Sequence, residues 1–163
     1  FIYMYGDDLM IEKKPGSFLK KVINTFTSEK AEAVCAAQPV PMDQINRLSS
    51  VKIKAGTKNQ IETVIEKPDP KDAPSNLCMF GRFIFSNKII KVLTKTAVAR
   101  GELWLTDAVN NLSQTDKVLV EPTDKDSYWH TTGDPLNFLK ANLAIAYLNP
   151  DLKKALTSYI KSL

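Results

Sequence analysis

Glycine is scarce here, six residues in 163, and no two of them stand close together. That spacing excludes a Gly-rich phosphate-binding loop within this sequence. Cysteine occurs at 35 and 78 only, each in an apolar strand-like run with no CxxC spacing and no histidine nearby, so both read as buried thiols rather than metal ligands or a disulfide. His130 is the single histidine. A lone imidazole in a strand-like run reads as a structural residue rather than a ligand. No apolar run approaches bilayer length, and the first residues given hold no basic region followed by a cleavable apolar segment. The expected setting is the cytoplasm, with no membrane partner. The net charge of +4 comes from scattered Lys with small clusters such as Lys13-Lys14 and Lys153-Lys154. None is interleaved with aromatics, so nucleic acid is not an expected partner, whereas a mild positive field suits phosphate-bearing ligands. No internal repeat, low-complexity tract or linker is visible, and 44% hydrophobic residues suffice for one core.

What is present is organised around Ile61 to Phe85. Apolar runs of strand character, 61–65 and 77–85, flank a Pro-rich polar segment that cannot pair as a strand. At its mouth stand Glu66 and Lys67, an acceptor beside a cation, followed by Pro68, which lacks a backbone donor. From the residues alone, this is either a solvated pair at a strand end or a seat for a hydroxylated, anionic ligand.

The rest of the chain reads as α/β. Phe1 to Tyr5 is apolar throughout, the pattern of a central strand covered on both faces, and the neighbours such a strand needs are expected to be largely missing from this sequence. Ser17 caps a helix with Phe18, Val22 and Phe26 on one face, and 31–40 is a buried strand, so strand, helix, strand predicts a parallel crossover unit. A helical turn follows at 42–48. Then 51–54, a turn-like AGTKNQ and Ile61 form a hairpin. Beyond Phe85, Ser86 or Asn87 caps a helix bearing Ile89, Ile90 and Leu93, and a loop of small and basic residues leads to Gly101. Glu102 starts a helix with Leu105, Val109 and Leu112 on one side. Short strands at 118–120 and 128–130 precede a long helix capped by Asp134-Pro135, and Pro150 opens the last one. The apolar faces of these final helices serve either a core or a second subunit of a homo-oligomer.

Four segments, in order, resemble one family. YGDDL at Tyr5 to Leu9 occupies the place of a PDDL turn. Glu66-Lys67-Pro68 with its acidic, Pro-rich spacer and GRFIF is similar to the family's EKP stretch. GELWLTDAVNNL from Gly101 resembles GE-x-x-LTDA, and GDPLNFLKANLAIAYLNPDL from Gly133 resembles GD-x-LGYLKAN. The family is the bacterial UTP-glucose-1-phosphate uridylyltransferases. The resemblance implies that 1–163 form the C-terminal portion of a sugar-phosphate nucleotidyltransferase domain. That portion is a partial doubly wound, Rossmann-like sheet with helices and a β-hairpin insertion, separated from a nucleotide-binding half. It also implies glucose 1-phosphate and UTP as reactants, UDP-glucose and pyrophosphate as products, and Mg²⁺ as cofactor.

Roles follow from the same resemblance, residue by residue. Glu66 accepts from sugar hydroxyls. Lys67 meets the sugar phosphate as a point charge and is the residue implied in catalysis. Gly81 lets backbone approach the hexose. Asp7 is the metal ligand, with Asp8 as a substitute or a cap. One departure stands out: Thr131 occupies the place of a second metal-binding Asp, which removes a negative charge from a Mg²⁺ cage. Two readings therefore stand together. One is part of a uridylyltransferase. The other is a non-catalytic relative or assembly module that keeps the sugar-phosphate seat.

Overall fold

A computed structural model describes residues 1–98 and 101–163. In chain order the elements are β1 (Ile2–Met4), β2 (Asp8–Glu12), α1 (Ser17–Ser28), β3 (Ala33–Pro39), a 3₁₀ turn (Met42–Arg47), β4 (Ser49–Ile53), β5 (Ile61–Glu66), β6 (Leu77–Phe85), α2 (Lys88–Leu93), α3 (Leu105–Thr115), β7 (Val118–Pro122), β8 (Ser127–Thr131), α4 (Pro135–Ala146) and α5 (Pro150–Ile160). The main sheet runs β5-β4-β6-β3-β7, with β1 also paired to β6, and β2 and β8 form a separate ribbon. The α/β class holds. Most neighbours in the sheet are antiparallel, and β3 with β7 is the parallel pair.

The long strand β6 explains this mixture. Along one edge it pairs with β3 from Leu77 to Phe85. Along the other it serves β4 at Cys78 and Met79 and β1 at Arg82 to Ile84. Both β1 and β3 are antiparallel to β6, so they run the same way, as a crossover through α1 requires, with β6 inserted between them. The expected hairpin is β4–β5.

Both faces of the sheet are buried. In β3, Ala33, Cys35 and Ala37 pack with Val109 and Leu112 of α3, whereas Val34 and Ala36 pack with Phe18 and Val22 of α1 and with Trp129. Period-two alternation thus appears between two cores rather than between core and solvent. Helix α1 shows the expected apolar stripe but a different cap. Ser17 is its first helical residue and Gly16 the N-cap. The Glu12 carboxylate of β2 accepts from the backbone N–H groups of Gly16 and Phe18, at 2.8 and 2.6 Å, which satisfies donors that a cap side chain otherwise meets. Asp134 does cap α4, accepting from the Asn137 N–H at 2.9 Å.

Phe1 to Tyr5 is short of neighbours, as expected: among the described residues β1 pairs with β6 alone, and residues 1–5 are 39–54% exposed. Other expectations change. Helix α3 begins at Leu105, not Glu102, because Trp104 is extended and acts as its N-cap. The Glu102 carboxylate instead accepts from the Trp104 indole at 2.7 Å. The loop expected before Gly101 includes positions 99 and 100, which lie outside the described residues. In α4 only Ala141 is buried, and α5 buries none of its residues. No helix among the described residues is long and apolar enough to cross a membrane.

Candidate functional site

At the end of β5 the chain turns sharply. Glu66 is the last strand residue, in register with Ser49 of β4. Lys67 follows with φ 46°, a left-handed conformation that costs a residue with a Cβ. Pro68 bars an αR conformation before it, and the Lys67 N–H is retained by the Leu48 carbonyl at 2.9 Å. The turn aims the ammonium over the Trp104 ring, 5.5 Å from its centroid. A non-glycine residue held in this region is a form of strain that concentrates at functional sites.

Glu66 and Lys67 line a cleft of about 530 Å³ with Tyr3, Tyr5, Asp7, Ser49, Trp104, Thr106 and Thr131. The Glu66 carboxylate is fixed. Its Oε2 accepts from the Thr106 hydroxyl at 2.7 Å and from Ser49 Oγ in a short contact, and the two hydroxyls are 3.1 Å apart. The sheet and the start of α3 thus converge on one carboxylate oxygen. Among the described residues no hydrogen bond reaches its Oε1.

Gly81 sits mid-strand in β6, where its environment is explicit. A Cβ added there would collide with the Tyr5 side chain, which makes edge contacts with Tyr3 and Phe83. The Gly81 N–H donates to Asp8 Oδ2. Asp8 is buried at 5% exposure, and its Oδ1 accepts from the Trp129 indole at 2.7 Å. Burial pushes the Asp8 carboxyl above its ordinary range, against the opposing hydrogen bonds from Trp129 and Gly81. Asp8 therefore ties β2, β6 and β8 together.

Asp7 is exposed on the same cleft. Its carbonyl accepts from the Thr132 N–H and hydroxyl, at 2.7 and 2.9 Å. Its carboxylate and the Thr131 hydroxyl flank Gly133: a Cβ there would lie 2.9 Å from Asp7 Oδ2 and 3.3 Å from Thr131 Oγ1. The pair predicted as ligand and departure is therefore adjacent in space. Among the described residues no group of three or more His, Cys, Asp or Glu side chains could hold a metal ion. Asp8 is already committed to its two donors, leaving one carboxylate and one hydroxyl. That donor set fits a Mg²⁺ held largely by water and substrate phosphates, and not a cage built from protein alone.

Sequence reasoning brought Asp7, Glu66 and Lys67 to one cleft and left out Ser49, Thr106 and Trp104. Ser49 carried a signal, since continuing the β4–β5 register back from Val51 and Val64 pairs it with Glu66. Thr106 carried one as the Thr of the LTDA segment, though nothing local placed it on this cleft, and Trp104 carried none, because α3 reaches this cleft only through tertiary packing. His130 lies in β8 with its ring against Tyr128, and burial lowers its pKa. It lines a neighbouring cleft of about 410 Å³ between the 3₁₀ turn, β8 and α4.

With this geometry in place, comparison with known proteins is informative. Residues 1–147 match the nucleotidyl transferase family. The UTP-glucose-1-phosphate uridylyltransferase of Streptococcus pneumoniae serotype 4 is 31% identical over 166 aligned residues, covering 98% of this chain and 54% of that protein. The uridylyltransferase 2 of Streptococcus pyogenes serotype M3 is also 31% identical with the same coverage. A UTP-bound UGPase from Acinetobacter baumannii superposes with a TM-score of 0.81 at 28% identity, over 100% of this chain and 56% of that one. The chain thus spans about half the length of the curated relatives it matches. A match over residues 1–147, carried on a sheet that superposes on a solved relative along its whole length, places this chain in the nucleotidyl transferase family.

Proposed function

We propose that this chain supplies the sugar-phosphate seat of a uridylyltransferase that forms UDP-glucose and pyrophosphate from UTP and glucose 1-phosphate. The observation that carries the reading is the strained strand end. Glu66 is pinned as an acceptor while the next residue, Lys67, is turned left-handed into the same cleft. A hexose 1-phosphate presents both hydroxyl donors and a dianion within one small molecule. The pair matches those two needs with one carboxylate and one ammonium.

In the reaction an oxygen of the sugar phosphate attacks the α-phosphorus of UTP, and the bond from that phosphorus to the pyrophosphate oxygen breaks. Both reactants are polyanions, so positioning and countercharge matter more than proton transfer. Lys67 offsets the charge of the sugar phosphate and holds its oxygen in place. Glu66 orients the hexose by accepting from its hydroxyls. Gly81 contributes through packing, since its missing side chain admits Tyr5 to the cleft wall. Asp7 is the side chain that would hold Mg²⁺, and the ion supplies countercharge to nucleotide phosphates.

The second reading, a non-catalytic relative that keeps the seat, is favoured by Thr131 beside Asp7, where one carboxylate stands without a second. Calorimetric titration with glucose 1-phosphate tests the seat: saturable binding that Lys67→Ala weakens supports both readings, and no binding removes both. Incubation of the full-length polypeptide with UTP, glucose 1-phosphate and Mg²⁺ then separates them, while the isolated chain is expected to show no turnover. UDP-glucose formation that is lost in Asp7→Ala supports the enzyme. Tight sugar-phosphate binding without turnover by the full-length polypeptide supports the non-catalytic relative.

A further inference from the structure

We propose that Ser49 and Thr106 are positioning residues that set the sugar preference of the cleft by holding Glu66 in one orientation. The inference rests on the sugar-phosphate reading above. Three segments distant in sequence meet at a single atom: Glu66 Oε2 from β5, the Ser49 hydroxyl from β4 and the Thr106 hydroxyl from the first turn of α3. Thr106 is 8% exposed, so its hydroxyl depends on protein partners.

Counting protons shows what the arrangement does. Three contacts join these groups, Ser49 to Glu66, Thr106 to Glu66 and Ser49 to Thr106, yet the hydroxyls bring only one proton each. The carboxylate is the strongest acceptor present and takes both. Glu66 is then held through Oε2, and Oε1 remains to accept from a ligand. Spent of their protons, the Ser49 and Thr106 oxygens add only lone pairs. This corner of the cleft therefore receives hydroxyl donors and offers none in return. Lys67, turned into the same cleft, attracts phosphate with or without a sugar attached. Ser49 and Thr106 thereby govern the sugar, and Lys67 the phosphate.

The test is calorimetric titration of the full chain with α-D-glucose 1-phosphate and, separately, with inorganic phosphate. Thr106→Val, which keeps the shape and removes the hydroxyl, is expected to weaken glucose 1-phosphate binding about tenfold. It should leave inorganic phosphate within about twofold of the parent, and Thr106→Ser should restore the parent affinity for the sugar ester. In a Glu66→Ala background, which removes the acceptor, Thr106→Val should have no further effect, because it acts through the carboxylate. Ser49→Ala reads the same prediction from the opposite side should Thr106→Val fail to fold. Unchanged glucose 1-phosphate affinity in both variants overturns the inference and leaves the seat standing. So does an equal loss for both ligands, or a loss that persists beside Glu66→Ala. Absence of glucose 1-phosphate binding by the parent chain overturns the seat itself, and this inference with it.

Discussion

Two lysines in this chain have left-handed backbone, Lys30 at φ 49° and Lys67 at φ 46°, and replacing each with glycine separates fold from function. Lys30 follows α1 in a helix-ending turn where its own N–H reaches the Thr27 carbonyl and the Ala31 N–H reaches the Phe26 carbonyl, a position that favours glycine. A side chain in this region costs about 1–2 kcal/mol. Glycine gives back roughly 0.5–1 kcal/mol through the greater freedom of its unfolded chain. Lys30→Gly should therefore stabilise the protein by about 0.5–1 kcal/mol, raising Tm by roughly 1–4 °C for a chain of this length. Lys67→Gly gains the same backbone relief and loses the contact with the Trp104 ring, worth about 0.5–1 kcal/mol at an exposed site. Its net change is close to zero. Urea melts followed by tryptophan fluorescence measure both. Binding then distinguishes the two: Lys30→Gly should bind glucose 1-phosphate as the parent does, and Lys67→Gly at least about tenfold more weakly, about 1.4 kcal/mol. Parent-like binding by Lys67→Gly would refute the role of its ammonium. Destabilisation by Lys30→Gly would refute the strain argument from which the comparison starts.

Further predictions concern the groups around the cleft. Gly81→Ala drives a methyl into Tyr5 and should cost about 1–3 kcal/mol in urea melts. Most of that cost should vanish when Tyr5 is also replaced by Gly, which removes the Cβ as well as the ring that a methyl at 81 would meet, and an undiminished cost in the double variant would show that the Tyr5 side chain is not the obstacle. The Asp8 carboxyl titrates above its ordinary value of 3.8, so the folded state holds this proton to higher pH than the unfolded chain. The associated stability is complete below 3.8 and is lost as pH rises through the folded value. Asp8→Asn should flatten that part of a stability-versus-pH curve. At pH 7 it should also cost about 1–3 kcal/mol, because one carbonyl oxygen cannot serve both the Trp129 indole and the Gly81 N–H. A curve unchanged in shape would assign the dependence to another group. Burial pushes the Cys78 thiol up to about 12 and raises that of Cys35 further. Neither should react with a disulfide reagent at pH 8 until the protein unfolds, and prompt labelling of the native chain would contradict their burial.

The elements that sequence reasoning placed well have local causes. Helix α1 was legible because Phe18, Val22 and Phe26 recur at helical spacing, and α4 because Asp134 and Pro135 are an N-cap and a first-turn residue of matching chemistry. The hairpin was legible from two strand-like runs around a polar turn. What failed depended on distance or competition. Nothing local to Phe1–Tyr5 reveals that it lies along one half of β6 while β4 occupies the other half. The register of such pairings is fixed by which faces the completed sheet buries. Glu102 looked like a helix start because an acid is favourable there. The Trp104 indole draws that carboxylate away, and the extended backbone of Trp104 delays the helix to Leu105.

For the cleft, residue types were readable and the backbone geometry that brings them together was not. Adjacent residues in a strand point to opposite faces, so Glu66 and Lys67 would not share a cleft if the strand simply continued. The left-handed step at Lys67 breaks that alternation and brings the ammonium back toward the carboxylate side, over Trp104. Pro68 supports the break by disfavouring helical backbone before it and by being unable to donate to a continuing ladder. The order Glu-Lys-Pro thus encodes geometry as well as charge. The first residue is still in register with Ser49 and can be pinned, the second is turned, and the third keeps the chain from resuming the strand. Gly81 completes the arrangement from the neighbouring part of the sheet: without a side chain it admits Tyr5, and its N–H anchors the buried Asp8 behind the cleft wall. The polar groups of the cleft therefore stand on backbone that is extended through β5, sharply turned at Lys67 and braced nearby by the buried Asp8 carboxylate. That combination lets a small number of polar side chains keep fixed positions at an otherwise open surface.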